Sequence, residues 1–543
     1  MSAPVLDRPP APPATVRARR QRPAEDPLIG WSAAIGVALL ALFLRLWKLG
    51  RPHKFAFDET YYAKDAWSLL RFGHVRGYVE DANEQILDGT TTGLWEGTPS
   101  MVVHPEVGKW MIALGEQLFG MDPFGWRVSA AVTGALMVLV MVRLARRLTG
   151  STMLGCLAGL LLCFDGLHLV LSRLALLDIF LAFWLLCAVA CLVADRDHTR
   201  ERMADVVERR GVGLLGPLRR IWFRPWLLAG GVCFGLAVGT KWSALYPLAA
   251  FGLLVWMWDT GAQRSFGVRW ATLKTALVGG VPAFAHLVLV AFVVYVASWG
   301  GWLANAEAYE ERFADTQYST HGGGEPWPTA SEPDASGLGE VAQSLRSLAH
   351  YHRDVLTFHT HFLDDSEHTY QSKPSGWLLL NRPVGVDAQL DIAPGEQGCE
   401  APEGSSCLRQ VTLLGTPVLW WGGTLALIFA VVAWVGQRDW RFGVPVVGVA
   451  STWLPWMLYD DRPIFLFYAI AILPFLVLAL ALTAGRLIGP DPWPTPRRTA
   501  GVVAVGSFLV LVLLNFAWFW PIWTDELLTR SEWVTRMWFS RWI

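Results

Sequence analysis

The sequence contains little charge. Only 17% of its 543 residues are Asp, Glu, Lys or Arg, and the formal net charge is -1. A nucleic-acid partner requires a strongly basic face, so this balance argues against that class of function. Cysteine is scarce as well, with seven in the chain, and only Cys399 and Cys407 fall in a polar loop. The others lie in apolar runs, where a cysteine behaves as a small buried hydrophobe.

The N-terminus lacks the pattern of a cleavable leader. Residues 1–28 contain no apolar core followed by a small-residue cleavage site. They are rich in Pro and Arg, which predicts a disordered cytoplasmic tail. We therefore expect the first apolar run to remain in the protein as an anchor.

Apolar sequence dominates the rest of the chain. Hydrophobic residues make up 53% of it, including 30 Trp, which is more apolar surface than a soluble core of this length needs. The expected fold class is an all-α polytopic membrane protein with about eleven transmembrane helices. The apolar runs lie near 29–49, 124–142, 152–171, 175–194, 226–240, 243–258, 276–298, 413–435, 443–459, 463–484 and 500–521.

The distribution of Arg predicts the orientation. Clusters that include Arg146 and Arg147, and the segment 196–224, fall on the same side as the Arg-rich N-terminus, which the positive-inside rule makes cytoplasmic. An odd number of spans then leaves the C-terminus outside, in a protein of the cell membrane with an extracytoplasmic active site. The expected organisation is a tail at 1–28, an N-terminal transmembrane catalytic module at 29–298 that includes the outer loop 50–123, an outer loop subdomain at 299–412, C-terminal transmembrane helices at 413–521 and an outer tail at 522–543.

Two cysteines in the second outer loop predict a disulfide. Cys399 and Cys407 are eight residues apart on the oxidising side of the membrane. A local disulfide is the expected state of such a pair.

Basic residues at the outer boundary of the membrane are candidates for holding a lipid phosphate. Arg173, Lys241 and Arg462 each lie there, and Lys109 and Arg127 add cations near the same face. Each of the first three could instead be a snorkelling residue that only sets the depth of a helix. Their occurrence on one face favours an anionic ligand.

An acidic pair follows the first span directly. A carboxylate of Asp58 or Glu59 at that depth could accept a proton from an attacking hydroxyl. The alternative is a solvated pair that stabilises the N-terminus of the next helix.

Two further motifs mix hydrogen-bonding groups with aromatic residues. One begins at His104, and the other contains His368, Tyr370 and Gln371. The second outer loop also contains His-x-His pairs that could supply metal ligands, but a dedicated site needs a fixed geometry, and we expect no metal. The residues of these pairs are His350, His352, His359 and His361.

Taken in order, these segments resemble the protein O-mannosyltransferase family in its bacterial form. The departures from the family's motifs are Glu106 and Thr369, each in place of a proline, and Ala244 in place of a glycine. The second outer loop has no room for the β-trefoil module of eukaryotic members. The matching segments are Asp58-Glu59, His104 to Lys109, Arg173 to Asp178, Lys241 to Pro247 and His368 to Ser372.

The resemblance implies a GT-C glycosyltransferase that uses polyprenyl-phosphate-mannose outside the membrane. Beyond this donor substrate, no cofactor is expected with certainty. Its acceptors would be Ser or Thr of proteins emerging from the secretion channel. It implies an inverting displacement in which Asp58 is the base, while Glu59 orients the loop or the acceptor. The implied substrate or lipid-phosphate contacts are His104, Lys109, Arg127, Arg173, Asp178, Lys241, His368, Tyr370, Gln371 and Arg462.

Two other functions remain open from the sequence. A transferase that moves a polyprenyl-phosphate-linked sugar to a lipid or polysaccharide would share the acidic loop and the outer cations. A transporter or flippase would be expected to bury charges within its spans and to have two related halves. The charges here cluster at one face, which favours chemistry at the surface.

Overall fold

The protein, described by a computed structural model over residues 26–363, 366–459, 461–490 and 493–543, is mainly helical. Short 3₁₀ and π-helical turns join several of the helices. The α-helices are α1 Pro27–Leu46, α2 Glu59–Phe72, α3 Ala82–Leu87, α4 Val107–Phe119, α5 Pro123–Thr149, α6 Thr152–Cys163, α7 Gly166–Leu171, α8 Leu177–Arg210, α9 Pro225–Val238, α10 Leu245–Ser265, α11 Ala271–Phe284, α12 Val290–Ala297, α13 Gly300–Leu303, α14 Ala306–Phe313, α15 Leu338–Thr357, α16 Pro417–Val435, α17 Trp440–Trp453, α18 Leu473–Ile488, α19 Pro496–Trp523 and α20 Arg530–Arg536.

Each of the eleven apolar runs contains helix. By length and composition, six helical segments of the described residues are long and apolar enough to cross a membrane: α1, α5, α8, α11 with α12, α16 and α19. Three shorter apolar helices, α6, α9 and α18, accompany them. Several apolar runs do not form one continuous α-helix. The helix α6 ends and the short helix α7 follows it, and α17 is followed only by the 3₁₀ turn Leu454–Leu458. The eleven crossings therefore stay a prediction.

The described residues are mostly helical, as expected, but the segments predicted to be outer also contain two small antiparallel sheets. One pairs β1 (Arg76–Tyr78) with β2 (Trp95–Pro99). The other has the order β3-β4-β5, built from Val384–Ile392, Cys407–Leu413 and Leu528–Thr529. Backbone groups of polar loops need hydrogen-bond partners, and strand pairing supplies them here.

The second sheet joins the large outer loop to the C-terminal tail. Cys407 of β4 lies opposite Thr529 of β5. The Trp542 indole also donates to the carbonyl of Leu380 at 2.8 Å. Cys399 and Cys407 form a disulfide beside this sheet, with Cα atoms 5.7 Å apart. The loop and the tail, which the sequence suggested as separate segments, therefore pack together.

Helix α5 separates two faces of the helical body. Near its first turn the Arg127 guanidinium reaches the carbonyl of Leu49, just beyond α1, at 3.3 Å. Near its last turn Arg146 packs against Gly30 in the first turn of α1. Nineteen residues at 1.5 Å each separate these ends by about 30 Å, the thickness of the hydrocarbon core. We call the end of α5 at Arg127 the site face and the end at Arg146 the basic face.

Buried ion pairs hold the basic face together. Arg224, which precedes α9, pairs with Asp195 of α8 and with Asp259 of α10, the latter at 2.6 Å. Arg147 of α5 pairs with Asp197 of α8 at 3.3 Å. These contacts fix the helices at one end and leave the cleft described below at the other.

Candidate active site

Asp58 immediately precedes α2 on the site face, but it does not cap that helix. Its side chain accepts no hydrogen bond from the first turn, which removes the main support for the capping interpretation. Among the described residues its side chain has one hydrogen-bond partner, the Tyr62 hydroxyl, which donates to Oδ2 at a long 3.5 Å. Burial raises the pKa of Asp58 to about 6, although the positive charge of Lys241 acts in the opposite direction. A carboxylate so placed titrates close to neutral pH.

Glu59 lies in a different environment. It is fully buried, and its carboxylate accepts two hydrogen bonds from Arg127, at 2.8 and 2.7 Å. The amides of Ala56 and Ala175 each donate to it at 2.9 Å. Because its acceptor capacity is used, the geometry assigns Glu59 to holding the loop and not to proton transfer.

An ion pair lies at the head of α8. The Lys241 ammonium lies 2.8 and 2.9 Å from the two carboxylate oxygens of Asp178, in the first turn of that helix. Lys241 occupies the break between α9 and the 3₁₀ turn Trp242–Ala244, which brings a charged side chain to the end of two apolar helices. A cleft opens here, and its wall includes Ser243, Thr452, Trp456 and Tyr468.

Arg462 comes from the connection between α17 and α18. Its Nη1 lies 3.0 Å from Nδ1 of His359 and 3.2 Å from the His359 carbonyl. Its Nε is buried without a partner among the described residues. Burying a hydrogen-bond donor without an acceptor costs free energy, and an anionic ligand would supply the missing acceptor.

His104 is enclosed beside these cations. Its ring stacks on that of His359 with centroids 5.6 Å apart. Burial lowers the pKa of His104 well below the usual value, and the charges of Lys241 and Arg462 add to the effect. The ring is therefore neutral at physiological pH and offers one donor and one acceptor.

The loop that contains His368 lies against the residue before Asp58. The His368 ring meets Phe57 edge-on at 6.3 Å and Phe465 at 5.0 Å. Gln371 folds back, so that its side-chain oxygen accepts from the His368 amide at 3.3 Å. Tyr370 is partly buried, whereas His368 and Gln371 are exposed. The structure thus brings this motif to the rim of the site.

Three of the expected phosphate ligands have other partners. Arg127 is fully buried with Glu59, and its remaining donors reach carbonyls. Arg173 donates to carbonyls at the end of α1, including that of Arg45 at 3.0 Å. Lys109 is buried against Asp65 at 2.9 Å. These partners disfavour the three as phosphate ligands, and their role stays a prediction. Lys241 is also paired, with Asp178, but it lines the cleft, and Arg462 has an unpartnered Nε among the described residues.

Sequence reasoning missed four residues of the site. Tyr62 and Asp65 follow Asp58 at spacings of four and seven, which places all three on one face of α2, and this spacing was a readable signal. His359 was considered only as a metal ligand. Tyr468, whose ring lies 4.9 Å from the Lys241 ammonium, has no signal in the sequence.

No group of three or more His, Cys, Asp or Glu side chains suited to a metal ion occurs in the described parts of the chain. The pairs expected as alternative ligands make other contacts. His352 contacts the Tyr295 hydroxyl at 2.5 Å, and His359 contacts Arg462.

The fold is similar to that of the S. cerevisiae protein O-mannosyltransferase complex Pmt1-Pmt2 bound to the sugar donor. The TM-score is 0.67 at 15% identity, over 98% of this chain and 95% of that chain. This likeness shows that the chain shares the overall fold of that complex.

Comparison of sequences identifies the family. The family described as dolichyl-phosphate-mannose-protein mannosyltransferase matches residues 108–307, and the C-terminal four-transmembrane region of protein O-mannosyltransferase matches 344–542. The polyprenol-phosphate-mannose--protein mannosyltransferase of Mycolicibacterium smegmatis (strain MKD8) is 36% identical over 94% of this chain and 93% of its own length. The protein of the same name from Mycobacterium tuberculosis (strain H37Rv) is 35% identical over 95% and 92%. The chain belongs to the dolichyl-phosphate-mannose-protein mannosyltransferase family.

Proposed function

We propose that this protein transfers mannose from polyprenyl-phosphate-mannose to Ser or Thr hydroxyls of exported proteins at the outer face of the cell membrane. The observation that carries the proposal is the position of Asp58. Within the described residues this carboxylate has no ion-pair partner, and it lies close enough to Lys241 and Asp178 to be electrostatically coupled to both. The relatives of this protein from M. smegmatis and M. tuberculosis are named polyprenol-phosphate-mannose--protein mannosyltransferases, which supports the same activity.

The reaction is an inverting single displacement. The acceptor oxygen attacks the anomeric carbon, the bond from that carbon to the phosphate oxygen breaks, and the phosphate leaves with the bonding electrons. Asp58 takes the proton of the attacking hydroxyl. A pKa of about 6 suits this role, because such a base is mostly ionised at neutral pH yet retains basicity.

Lys241 and Arg462 neutralise the phosphate as it leaves. Lys241 lies in the cleft, where Asp178 fixes its ammonium. Arg462 has an unpartnered Nε. A phosphate monoester is a stable leaving group, so fixed cations aid its departure more than a general acid does. His368, Tyr370 and Gln371, at the rim, contact the acceptor or the lipid phosphate.

The site face is extracytoplasmic in this proposal. The Arg-rich basic face is cytoplasmic by the positive-inside rule, and α5 is long enough to separate the two faces by the thickness of a bilayer. β5 joins the C-terminal tail to the outer loop, which supports a C-terminus on the outer side. Acceptors would then arrive unfolded from the secretion channel. A tag after Ile543 should react with impermeant reagents on intact cells, and a cytoplasmic C-terminus would overturn this topology.

A transferase that acts on a lipid or polysaccharide would use the same donor contacts. The deciding experiment incubates the purified protein with labelled polyprenyl-phosphate-mannose and a Ser/Thr-rich peptide. The matched control is the same peptide with every Ser and Thr replaced by Ala. We expect label in the first peptide only, with an anomeric configuration opposite to that of the donor. Label confined to lipid or polysaccharide of added membranes would overturn the proposal.

A further inference from the structure

Helix α15 lies within the large loop 299–412 and packs next to the residue that follows Lys241. It continues from Thr357 into a π-helical turn, Phe358–Phe362, which contains His359. One side of this helix is fixed seven residues earlier, where the His352 ring stacks on Trp242 at 5.5 Å and contacts the Tyr295 hydroxyl. Since Trp242 follows Lys241 directly, α15 is anchored beside the cation of the cleft. Single π turns are frequent at functional sites.

The ring of His359 has a defined tautomer. The Arg462 guanidinium carries only donors, so Nδ1 of His359 must accept from it. The opposite nitrogen, Nε2, lies 3.1 Å from the carbonyl of Val103 and must therefore carry the proton that it donates there. Burial lowers the pKa of His359 to about 4, with Arg462 and Lys241 contributing, so the ring stays neutral at working pH. His359 thus bridges the segment before His104 to Arg462.

This bridge determines the direction of the Arg462 side chain. His359 binds Nη1 twice, through its ring and its carbonyl. The Nε lies elsewhere on the planar guanidinium, buried and without a partner among the described residues. Arg binds phosphate best when its planar fork is held in place before the ligand arrives.

We propose that His359 is a positioning residue that holds Arg462 ready to bind the phosphate of the lipid-linked sugar. This inference rests on the proposed function, because it takes the donor phosphate as the ligand of Arg462. It assigns to one neutral histidine of the outer loop a role in donor affinity. A histidine that served only packing would affect stability without affecting the phosphate in particular.

Two substitutions separate the contacts of His359. In His359→Asn the amide oxygen takes the place of Nδ1 and can still accept from Arg462. In His359→Gln the amide lies near the position of Nε2, so the contact with Val103 is kept, the side-chain contact with Arg462 is lost, and the contact from Arg462 to the backbone carbonyl remains. His361→Gln, at an exposed histidine of the same π turn, is the matched control.

The measurement is the affinity of the purified full-length variants for polyprenyl phosphate, together with KM and kcat for transfer and the melting temperature. Losing one hydrogen bond to a charged group should weaken polyprenyl-phosphate binding and raise the donor KM about tenfold in His359→Gln, with little change in kcat. His359→Asn and His361→Gln should remain near wild type. In an Arg462→Gln background, His359→Gln should add nothing.

The inference is overturned if His359→Gln binds polyprenyl phosphate as wild type does, or if it weakens binding equally with and without Arg462. Failure of the proposed function gives a different result. Wild-type protein would then transfer no mannose to the peptide, although binding of polyprenyl phosphate could still be compared among the variants.

Discussion

Arg127 and Glu59 form a fully buried two-point ion pair, Nε to Oε1 at 2.8 Å and Nη2 to Oε2 at 2.7 Å. The pair joins the first turns of α5 and α2. Asp58 is the preceding residue, so the position of the proposed base depends on this contact. In the acidic pair, Asp58 is therefore the proposed base, and Glu59 holds the loop in place through Arg127.

Replacing Glu59 by Gln should destabilise the protein strongly. The change leaves the Arg127 charge buried without a counter-ion, and breaking such a pair typically costs about 3–5 kcal/mol. Thermal unfolding in detergent should show a lowered midpoint for Glu59→Gln and partial recovery in the double variant Glu59→Gln/Arg127→Met. A normal midpoint combined with lost turnover would instead make Glu59 part of the chemistry.

Replacing Asp58 by Asn should slow transfer and leave the fold intact. The substitution preserves shape but removes the base, and losing a general base typically costs about 10²–10⁴-fold in rate. Binding of polyprenyl phosphate should persist. The matched control is Asp122→Asn, which alters a carboxylate that caps α5 through the Gly125 amide at 2.7 Å and should leave turnover nearly unchanged. A well-folded Asp58→Asn that retains more than about a tenth of the wild-type rate would exclude Asp58 as the base.

The pH dependence should report the same group. Because burial raises the pKa of Asp58 to about 6, its basic form is lost as the pH falls below that value. We expect kcat/KM to fall about tenfold per pH unit below pH 6. Transfer assays between pH 4.5 and 8, with folding checked at each pH, measure this fall in kcat/KM at acidic pH. A rate that stays constant down to pH 5 would contradict the assignment.

Arg173→Ala should affect stability more than donor binding. The guanidinium binds carbonyls at the C-terminal end of α1, including those of Arg45 and Trp47, at 3.0 and 2.5 Å. Removing it leaves these acceptors without that donor and should lower the melting temperature. Polyprenyl-phosphate affinity per folded molecule should stay within about twofold, whereas Arg462→Ala should weaken it about tenfold or more. If Arg173→Ala weakened polyprenyl-phosphate binding more than Arg462→Ala, Arg173 would be a phosphate ligand after all.

Glu106 should make stability depend on pH. Its side chain is fully buried, and burial raises its pKa from 4.5 to about 7. A carboxyl whose pKa is raised in the folded state favours folding when protonated, so its contribution declines as the pH rises from about 4.5 to 7. Glu106→Gln has no ionisable group at this position, so it does not lose stability in this way as the pH rises. Its melting temperature relative to wild type should therefore rise between pH 5 and 8, and a constant difference would refute the assignment.

Local sequence determined the helical runs and the order of the motifs. Apolar stretches form helices in a bilayer because their backbone groups must bond internally, and this rule needs no knowledge of neighbouring segments. The order of the motifs led correctly to the family, and the helix spacing of Asp58, Tyr62 and Asp65 was also present in the sequence. The sheet that joins the C-terminal tail to the outer loop was not predicted, because its short strands pair across more than a hundred residues.

Tertiary structure decided which partner each cation has. Arg127, Arg173, Lys241 and Arg462 are alike in sequence, since each is a basic residue near the outer boundary. Arg127 pairs with Glu59 and Arg173 binds carbonyls at the end of α1, whereas Lys241 lines the cleft beside Asp178 and Arg462 contacts His359. The role of a charged side chain depends on which partners lie within about 3 Å, and the sequence does not contain that distance.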